Sequence, residues 1–118
     1  MLQVKSLQTE LQIHVAIVQH LWLRGARGLL FLHPGNGEWR DKRTGGKLRR
    51  MGLLAGASDL LLWHAGNSFA LEIKAPGGRL SDAQKLFFAR FADAGGHTAV
   101  ADNIDAALAT LRGWGLLS

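Results

Sequence analysis

Apolar residues recur along this chain at two spacings, three or four residues apart in some segments and two apart in others. The helical spacing predicts a first helix from Ser6 to about Leu23, a second from Ser81 to about Ala94, and a last helix capped by Asn103. Ser81 and Gln84 have the capping-box pattern. The predicted inward-facing residues are Leu7, Leu11, Val15, Val18 and Trp22 in the first helix, Ala83, Phe87, Phe91 and Ala94 in the second, and Ile104, Leu108 and Leu111 in the last.

Short apolar segments between these helices predict strands at Leu29–His33, Asp59–Trp63, Ser68–Lys74 and His97–Ala101. The sequence "HAGN" separates the second and third of these segments and is typical of a turn, so the two strands should form a hairpin. The element order is helix, strand, hairpin, helix, strand, helix. It predicts an α/β fold, with a mixed sheet of about four strands flanked by helices.

Composition narrows the class of protein. With 118 residues, 47% of them hydrophobic, the chain is expected to form a single domain over residues 1–118. The net charge of +5 favours an anionic partner, nucleic acid first and a membrane surface second. The chain has no cysteine, which excludes disulfides and thiol chemistry. No signal-peptide pattern and no run of ~18 apolar residues is found, so we expect a cytoplasmic protein of bacterial or phage type.

The segment "ALEIKAP" carries a carboxylate and an amine on one face of a predicted strand, because Glu72 and Lys74 are two residues apart. The hairpin should place Asp59 opposite Glu72 or Ile73, where the two carboxylates can converge. Close carboxylates repel unless a proton or a cation lies between them, and oxygen ligands suit Mg²⁺ or Mn²⁺. Lys74 could then orient or deprotonate a water, or neutralise charge on a phosphate. A solvated strand face with a chance Glu–Lys pair would show the same spacing.

A basic, glycine-rich segment at residues 34–50 is expected to be an exposed loop. It holds six of the chain's 14 Lys and Arg residues, which are Arg40, Lys42, Arg43, Lys47, Arg49 and Arg50. Such a run is often only a solvated surface, but beside a phosphodiester site it favours contacts with phosphates. Asn36 is either a turn residue or a substrate contact. Trp39 could stack on an unpaired base or fill a gap under the loop.

The run "GASD", an apolar strand and then "LEIKAPGGRLSDAQ" resembles the restriction-endonuclease-like PD-(D/E)XK nucleases, and most closely their virus-type replication-repair nuclease branch, the VRR-NUC domain. The resemblance extends over most of the chain, from a helical Glu near the start to the last helix. It differs at Ser58, where the family commonly has Pro before the Asp.

The resemblance implies a divalent-metal-dependent phosphodiesterase that acts on DNA. It implies that Glu10, Asp59, Glu72 and the backbone carbonyl of Ile73 hold Mg²⁺ or Mn²⁺. Lys74 would act on the attacking water, and Gln84 would support the site. Two of these residues have a structural alternative, since Glu10 also suits the first turn of a helix and Gln84 also suits a capping box.

The expected function is a structure-selective DNA endonuclease of the DNA-repair type, with branched DNA such as a Holliday junction as substrate and a homodimer as the assembly. The alternatives are a non-catalytic DNA-binding module that retains the nuclease fold, and a basic scaffold with a chance motif. The five histidines predict no metal site, because neither His14 nor His20 lies at a convincing ligand spacing from an acidic residue. His33 and His64 are expected at strand ends. Trp22, Trp63 and Trp114 are expected in the core or on a dimer surface.

Overall fold

The structure, a computed structural model, describes residues 8–35, 52 and 54–118. Three helices and four strands are found in this part of the chain. They are α1 (Glu10–Arg24), β1 (Leu30–Leu32), β2 (Leu60–His64), β3 (Asn67–Ile73), α2 (Asp82–Asp93), β4 (His97–Ala101) and α3 (Ile104–Gly113). The predicted α/β class and order of elements are confirmed.

The four strands form one mixed sheet in the order β1-β2-β3-β4. β2 runs antiparallel to both of its neighbours, β1 and β3, and β4 runs parallel to β3. The predicted hairpin is present, and it turns at Ala65 and Gly66, whose φ angles are 49° and 81°. Two successive residues with positive φ are typical of the type I′ turn that two-residue hairpins favour. β3 is a central strand, because it pairs with β2 on one edge and with β4 on the other.

The first helix turns a different face to the sheet than its sequence predicts. Its buried residues are Ile13, Ile17 and Leu21, whereas Leu11 is 71% exposed and Trp22 is 75% exposed. The helix carries two apolar stripes at helical spacing, and the stripe of Ile13, Ile17 and Leu21 packs inward, while Val18 of the predicted stripe is partly buried against the core. Its N-cap is Thr9, which forms a capping box with Gln12, while the predicted cap Ser6 and the predicted stripe residue Leu7 lie outside the described residues.

The main core lies between the sheet and the helices α1 and α3, which also contact each other. The sheet contributes Phe69, Leu71 and Ile73 from alternate positions of β3, and α3 contributes Leu108 and Leu111 as predicted. Helix α2 contacts β4 and lies over the opposite face of the sheet, the face that carries Glu72. The hydrogen bond from Gln84 of α2 to Glu72 of β3 shows this position. Of the predicted inner stripe of α2, Phe87 is buried and Ala83 and Ala94 are exposed. None of the described helices is long and apolar enough to cross a membrane.

Candidate active site

Two carboxylates meet at the open end of the β2–β3 hairpin. Leu60 pairs with Leu71, so the same register extended by one residue places Asp59 opposite Glu72, as the hairpin predicts. The Oδ2 atom of Asp59 accepts a hydrogen bond of 2.8 Å from the backbone N–H of Ile73. This bond fixes the Asp59 side chain against the end of β3, beside Glu72.

Glu72 is buried rather than solvated, with only 3% of its surface exposed. The predicted polar face of β3 is a covered one, because β3 is a central strand and α2 lies over that face. The Oε1 atom of Glu72 accepts a hydrogen bond of 3.0 Å from Gln84 Nε2 and lies 4.0 Å from Lys74 Nζ. Its second oxygen, Oε2, is buried without a hydrogen-bond partner in the described part of the chain. A buried carboxylate oxygen without a partner is costly unless a proton or a cation satisfies it.

The pKa of Glu72 is raised from 4.5 to about 8. Burial is the main cause, because it disfavours the charged form, and the neighbouring Asp59 carboxylate adds to it by repulsion. The Lys74 ammonium acts in the opposite direction and offsets part of the rise. Without a cation, burial and the neighbouring carboxylate therefore favour the protonated form of Glu72.

Lys74 follows the last residue of β3 and remains anchored to the sheet. Its backbone N–H donates to the carbonyl of Ala101 at 2.9 Å, which extends the pairing with β4 by one residue. Its side chain is 13% exposed, so the ammonium lies at the rim of the carboxylate pair with limited access to water. The backbone bond holds the amine on the Glu72 side of the strand.

Gln84 fulfils both of the roles that its position suggests. Its Oε1 atom accepts from the backbone N–H of Ser81 at 2.8 Å and completes the capping box, while its Nε2 atom donates to Glu72. Each end of the amide thus has a different partner. The predicted catalytic contribution of Gln84 stays a prediction, and the structure shows the contact through which it would act.

The turn before Asp59 packs closely on the start of α2. Gly56 has a φ of +80°, and a Cβ at this residue would press on the carbonyl of Ala83 and the backbone nitrogen of Gln84. Ser58, which stands where the family commonly has Pro, is fully buried, and its Oγ has no hydrogen-bond partner among the described residues. The "GASD" turn therefore positions Asp59 relative to the helix that carries Gln84.

Glu10 lies in the first turn of α1 and reaches the end of β3. Its Oε1 atom accepts a weak hydrogen bond of 3.4 Å from the backbone N–H of Ala75, one residue beyond Lys74, and its side chain is exposed. The structure thus brings Glu10 to the segment that carries the site. The metal-ligand roles of Glu10 and of the Ile73 carbonyl stay predictions.

A histidine pair beside Asp59 is a feature that the sequence did not predict. His14, His33 and Asp59 offer ligand atoms that all lie within 4.8 Å of one another. His33 follows β1, as expected for a strand-end residue, and its Nδ1 lies 2.6 Å from the backbone oxygen of Asp59. The pKa of His14 is lowered mainly by burial and also by His33, while Asp59 acts to raise it. Only His33 could have been placed near Asp59 from the sequence, because the pairing of β1 with β2 brings the end of β1 to the start of β2.

The carboxylate pair fits a divalent cation. Asp59 and Glu72 are adjacent, one Glu72 oxygen lacks a partner in the described structure, and the pKa of Glu72 is raised by burial and by repulsion. Hard oxygen donors with excess negative charge are the ligands that Mg²⁺ and Mn²⁺ prefer. Asp59 and Glu72 are the residues that would hold the ion.

The predicted DNA-binding residues all fall in a segment outside the described residues, and so does Trp39. These residues are Asn36, Arg40, Lys42, Arg43, Lys47, Arg49 and Arg50. Their contacts with DNA stay predictions.

Fold and site together define an α/β domain of the nuclease type. The VRR-NUC domain family matches residues 38–103, which include Asp59, Glu72, Lys74 and Gln84, and the chain belongs to this family. A solved structure titled "VRR_NUC domain protein" is similar with a TM-score of 0.74 and 23% sequence identity, over 91% of this chain and 88% of that one. At this identity the likeness shows a shared fold. No curated protein matches the chain.

Proposed function

We propose that this chain is a divalent-metal-dependent, structure-selective DNA endonuclease that hydrolyses phosphodiester bonds. The observation that carries the proposal is the buried Glu72 carboxylate, which has an unpartnered oxygen, a second carboxylate beside it and a lysine 4.0 Å away. Membership of a nuclease-domain family supports it. A buried carboxyl group with an unpartnered oxygen destabilises a fold, and a bound cation would remove that cost.

Asp59, Glu72 and Lys74 have separate tasks in this proposal. The two carboxylates hold the cation, and Asp59 is kept in place by the Ile73 N–H. A bound divalent cation supplies Lewis-acid polarisation of a phosphoryl oxygen and lowers the pKa of a bound water. Lys74 contributes a positive charge that orients the attacking water or compensates charge that develops on the phosphate. Gln84 restrains Glu72 Oε1 and leaves Oε2 for the ion.

The DNA part of the proposal rests on charge. Six Lys and Arg residues fall between Arg40 and Arg50, upstream of Asp59, and phosphate contacts of this kind give affinity without sequence selection. We therefore infer selection by DNA shape and take the four-way junction as the first substrate to test. Cutting such a junction requires two active sites, which a homodimer would supply.

An exposed apolar surface supports the homodimer. Leu11, Val15 and Trp22 lie on one side of α1, and all three are exposed, as are Leu30 and Leu32 of the edge strand β1. Apolar patches of this kind often mark protein interfaces. Trp22 also contacts the ring of Phe31 at 4.8 Å, which joins the helix and strand parts of the patch.

The decisive experiment compares cleavage of a labelled four-way junction, a flap and a linear duplex by the wild type and by Lys74→Ala, in Mg²⁺ and in Mn²⁺. We expect the wild type to cut the junction fastest and Lys74→Ala to lose at least about a hundredfold in rate, the usual scale for an electrostatic or acid–base group. Lys85→Ala, which removes an exposed lysine of α2, is the matched control and should cut normally.

The outcomes separate the alternatives. Junction binding in EDTA without cleavage in either metal would leave the non-catalytic DNA-binding module as the better description. Equal cleavage by Lys74→Ala and the wild type would refute the proposed role of the lysine.

A further inference from the structure

We propose that His14, His33 and Asp59 form a second metal site, which binds a borderline divalent ion such as Zn²⁺. The three residues come from α1, from the end of β1 and from the start of β2, and the sheet brings them together. The proposal concerns metal binding and does not depend on cleavage of DNA.

His33 is oriented for metal binding by its contact with the backbone. Its Nδ1 lies 2.6 Å from the carbonyl oxygen of Asp59, and a carbonyl can only accept a hydrogen bond. Nδ1 therefore carries the proton and the lone pair is on Nε2. A histidine ligand whose second nitrogen donates to a carbonyl is the usual arrangement in protein metal sites, because it fixes both the tautomer and the direction of the ring.

His14 stands edge-on to His33, with ring centroids 4.8 Å apart and an interplanar angle of 85°. In the part of the chain that the structure describes, neither of its ring nitrogens has a hydrogen-bond partner. His14 is therefore a half-buried imidazole beside a second imidazole and a carboxylate, and the lone pair of its unprotonated ring nitrogen is unused. A metal ion would use it.

The ligand types select the ion. Two imidazole nitrogens and one carboxylate oxygen suit Zn²⁺, Co²⁺, Ni²⁺ or Fe²⁺ better than Mg²⁺, which prefers oxygen ligands. Three protein ligands leave coordination positions for water. Both histidines line a cavity of about 410 Å³ between α1 and β1, which is open in the single chain. The two proposed metal sites differ in chemistry and share Asp59.

The test measures metal binding alone. Zn²⁺ affinity is determined by competition with a chromophoric chelator in excess Mg²⁺, and Co²⁺ binding is followed by its visible absorption. Two conservative variants keep the packing: His14→Gln, and His33→Asn, whose amide can still donate to the Asp59 carbonyl. We expect each to weaken Zn²⁺ binding by at least about tenfold, since even losses in the second shell of a metal site cost 10–100-fold.

Two controls make the result specific. His20→Gln, which changes another histidine of α1 whose Nδ1 accepts from Arg24, should bind Zn²⁺ like the wild type. Glu72→Gln should retain Zn²⁺, because Glu72 is not in the histidine set. Circular dichroism verifies that each variant is folded. Unchanged Zn²⁺ affinity in the folded His14→Gln and His33→Asn variants, or loss of Zn²⁺ in Glu72→Gln alone, would overturn the second site.

Discussion

Glu72 carries a carboxyl group that is almost fully shielded from water, with a second carboxylate close by. The protonation of this one side chain should therefore affect the stability of the whole fold. In the folded protein the pKa of Glu72 is raised to about 8, whereas its ordinary value is 4.5. Between these two values the Glu72 side chain binds more protons in the folded state than in the unfolded state, so its contribution to stability falls as the pH rises.

The first prediction follows from this linkage. In EDTA, the free energy of unfolding of the wild type, taken relative to that of Glu72→Gln, should decrease between pH 5 and pH 8, by up to ~1.4 kcal/mol per pH unit. Glu72→Gln cannot ionise and retains an oxygen for Gln84, so its stability should depend much less on pH and exceed that of the wild type at pH 8. Urea unfolding at a series of pH values measures both.

Asp93→Asn, which alters an exposed carboxyl at the end of α2, is the matched control and should follow the wild-type pH dependence. Added Mg²⁺ or Mn²⁺ should stabilise the wild type more at pH 8 than at pH 6, because the ion must displace the Glu72 proton. A wild type and a Glu72→Gln variant with the same pH dependence of stability between pH 5 and pH 8 in EDTA would show that Glu72 is not the buried, protonated group described above.

At the scale of elements, the site depends on how the "GASD" turn meets α2. Gly56 combines a positive φ with a position at which a Cβ would press on the backbone of Ala83 and Gln84. Gly77 has nearly the same φ, +82°, but open space around it. Alanine substitutions at Gly56 and Gly77 can therefore be compared to separate the cost of backbone conformation from the cost of close packing.

We expect Gly77→Ala to lose about 1–2 kcal/mol of stability, the usual penalty of a left-handed conformation for alanine. Gly56→Ala should lose about 1–3 kcal/mol more, because the turn and α2 must move apart. It should also reduce cleavage, since Asp59 follows the turn, whereas Gly77→Ala should cut DNA at a near-normal rate. Equal stability of the two variants in urea unfolding would show that the turn does not pack on the helix as described.

The elements also show what a sequence can predict. The hairpin, the α2 capping box and β4 could be predicted because their signals are local: a turn between apolar strands, Ser81 with Gln84, and a short strand after a glycine pair. The inward face of α1 could not, because two apolar stripes fit the same helical period and only the sheet selects between them. The histidine site joins positions 14, 33 and 59, which come together only when β1 pairs with β2 and α1 lies beside them.

At the scale of the whole molecule, the apolar surface of α1 and β1 predicts self-association. Trp22→Glu introduces a charge at a residue that is 75% exposed and should convert a dimer to a monomer, which light scattering after size-exclusion chromatography would detect. Leu86→Glu is the matched control, because Leu86 is an apolar residue of α2 that is 59% exposed. A wild type that is monomeric at high concentration would remove the dimer from the proposal.

The net charge of +5 predicts DNA binding that weakens with salt. Replacing Arg49 and Arg50 by Gln should reduce the slope of log affinity against log salt concentration by up to about 1.8, since each phosphate contact contributes about 0.9. Replacing Arg90 and Arg112, which are exposed on α2 and α3, should change it less. Fluorescence anisotropy in EDTA measures the slopes, and equal slopes for both double variants would mean that the basic segment has no special role.

The amide of Gln84 joins the start of α2 to Glu72 through its two ends. Fraying of the first turn of α2 therefore releases Glu72, and any event that fixes Glu72 must also hold that turn closed. Hydrogen exchange at the backbone N–H of Gln84, which donates to Ser81 Oγ at 3.1 Å, should accordingly slow when a divalent cation binds. The exchange rate of this cap N–H, measured by NMR, should therefore show whether a cation is bound between Asp59 and Glu72.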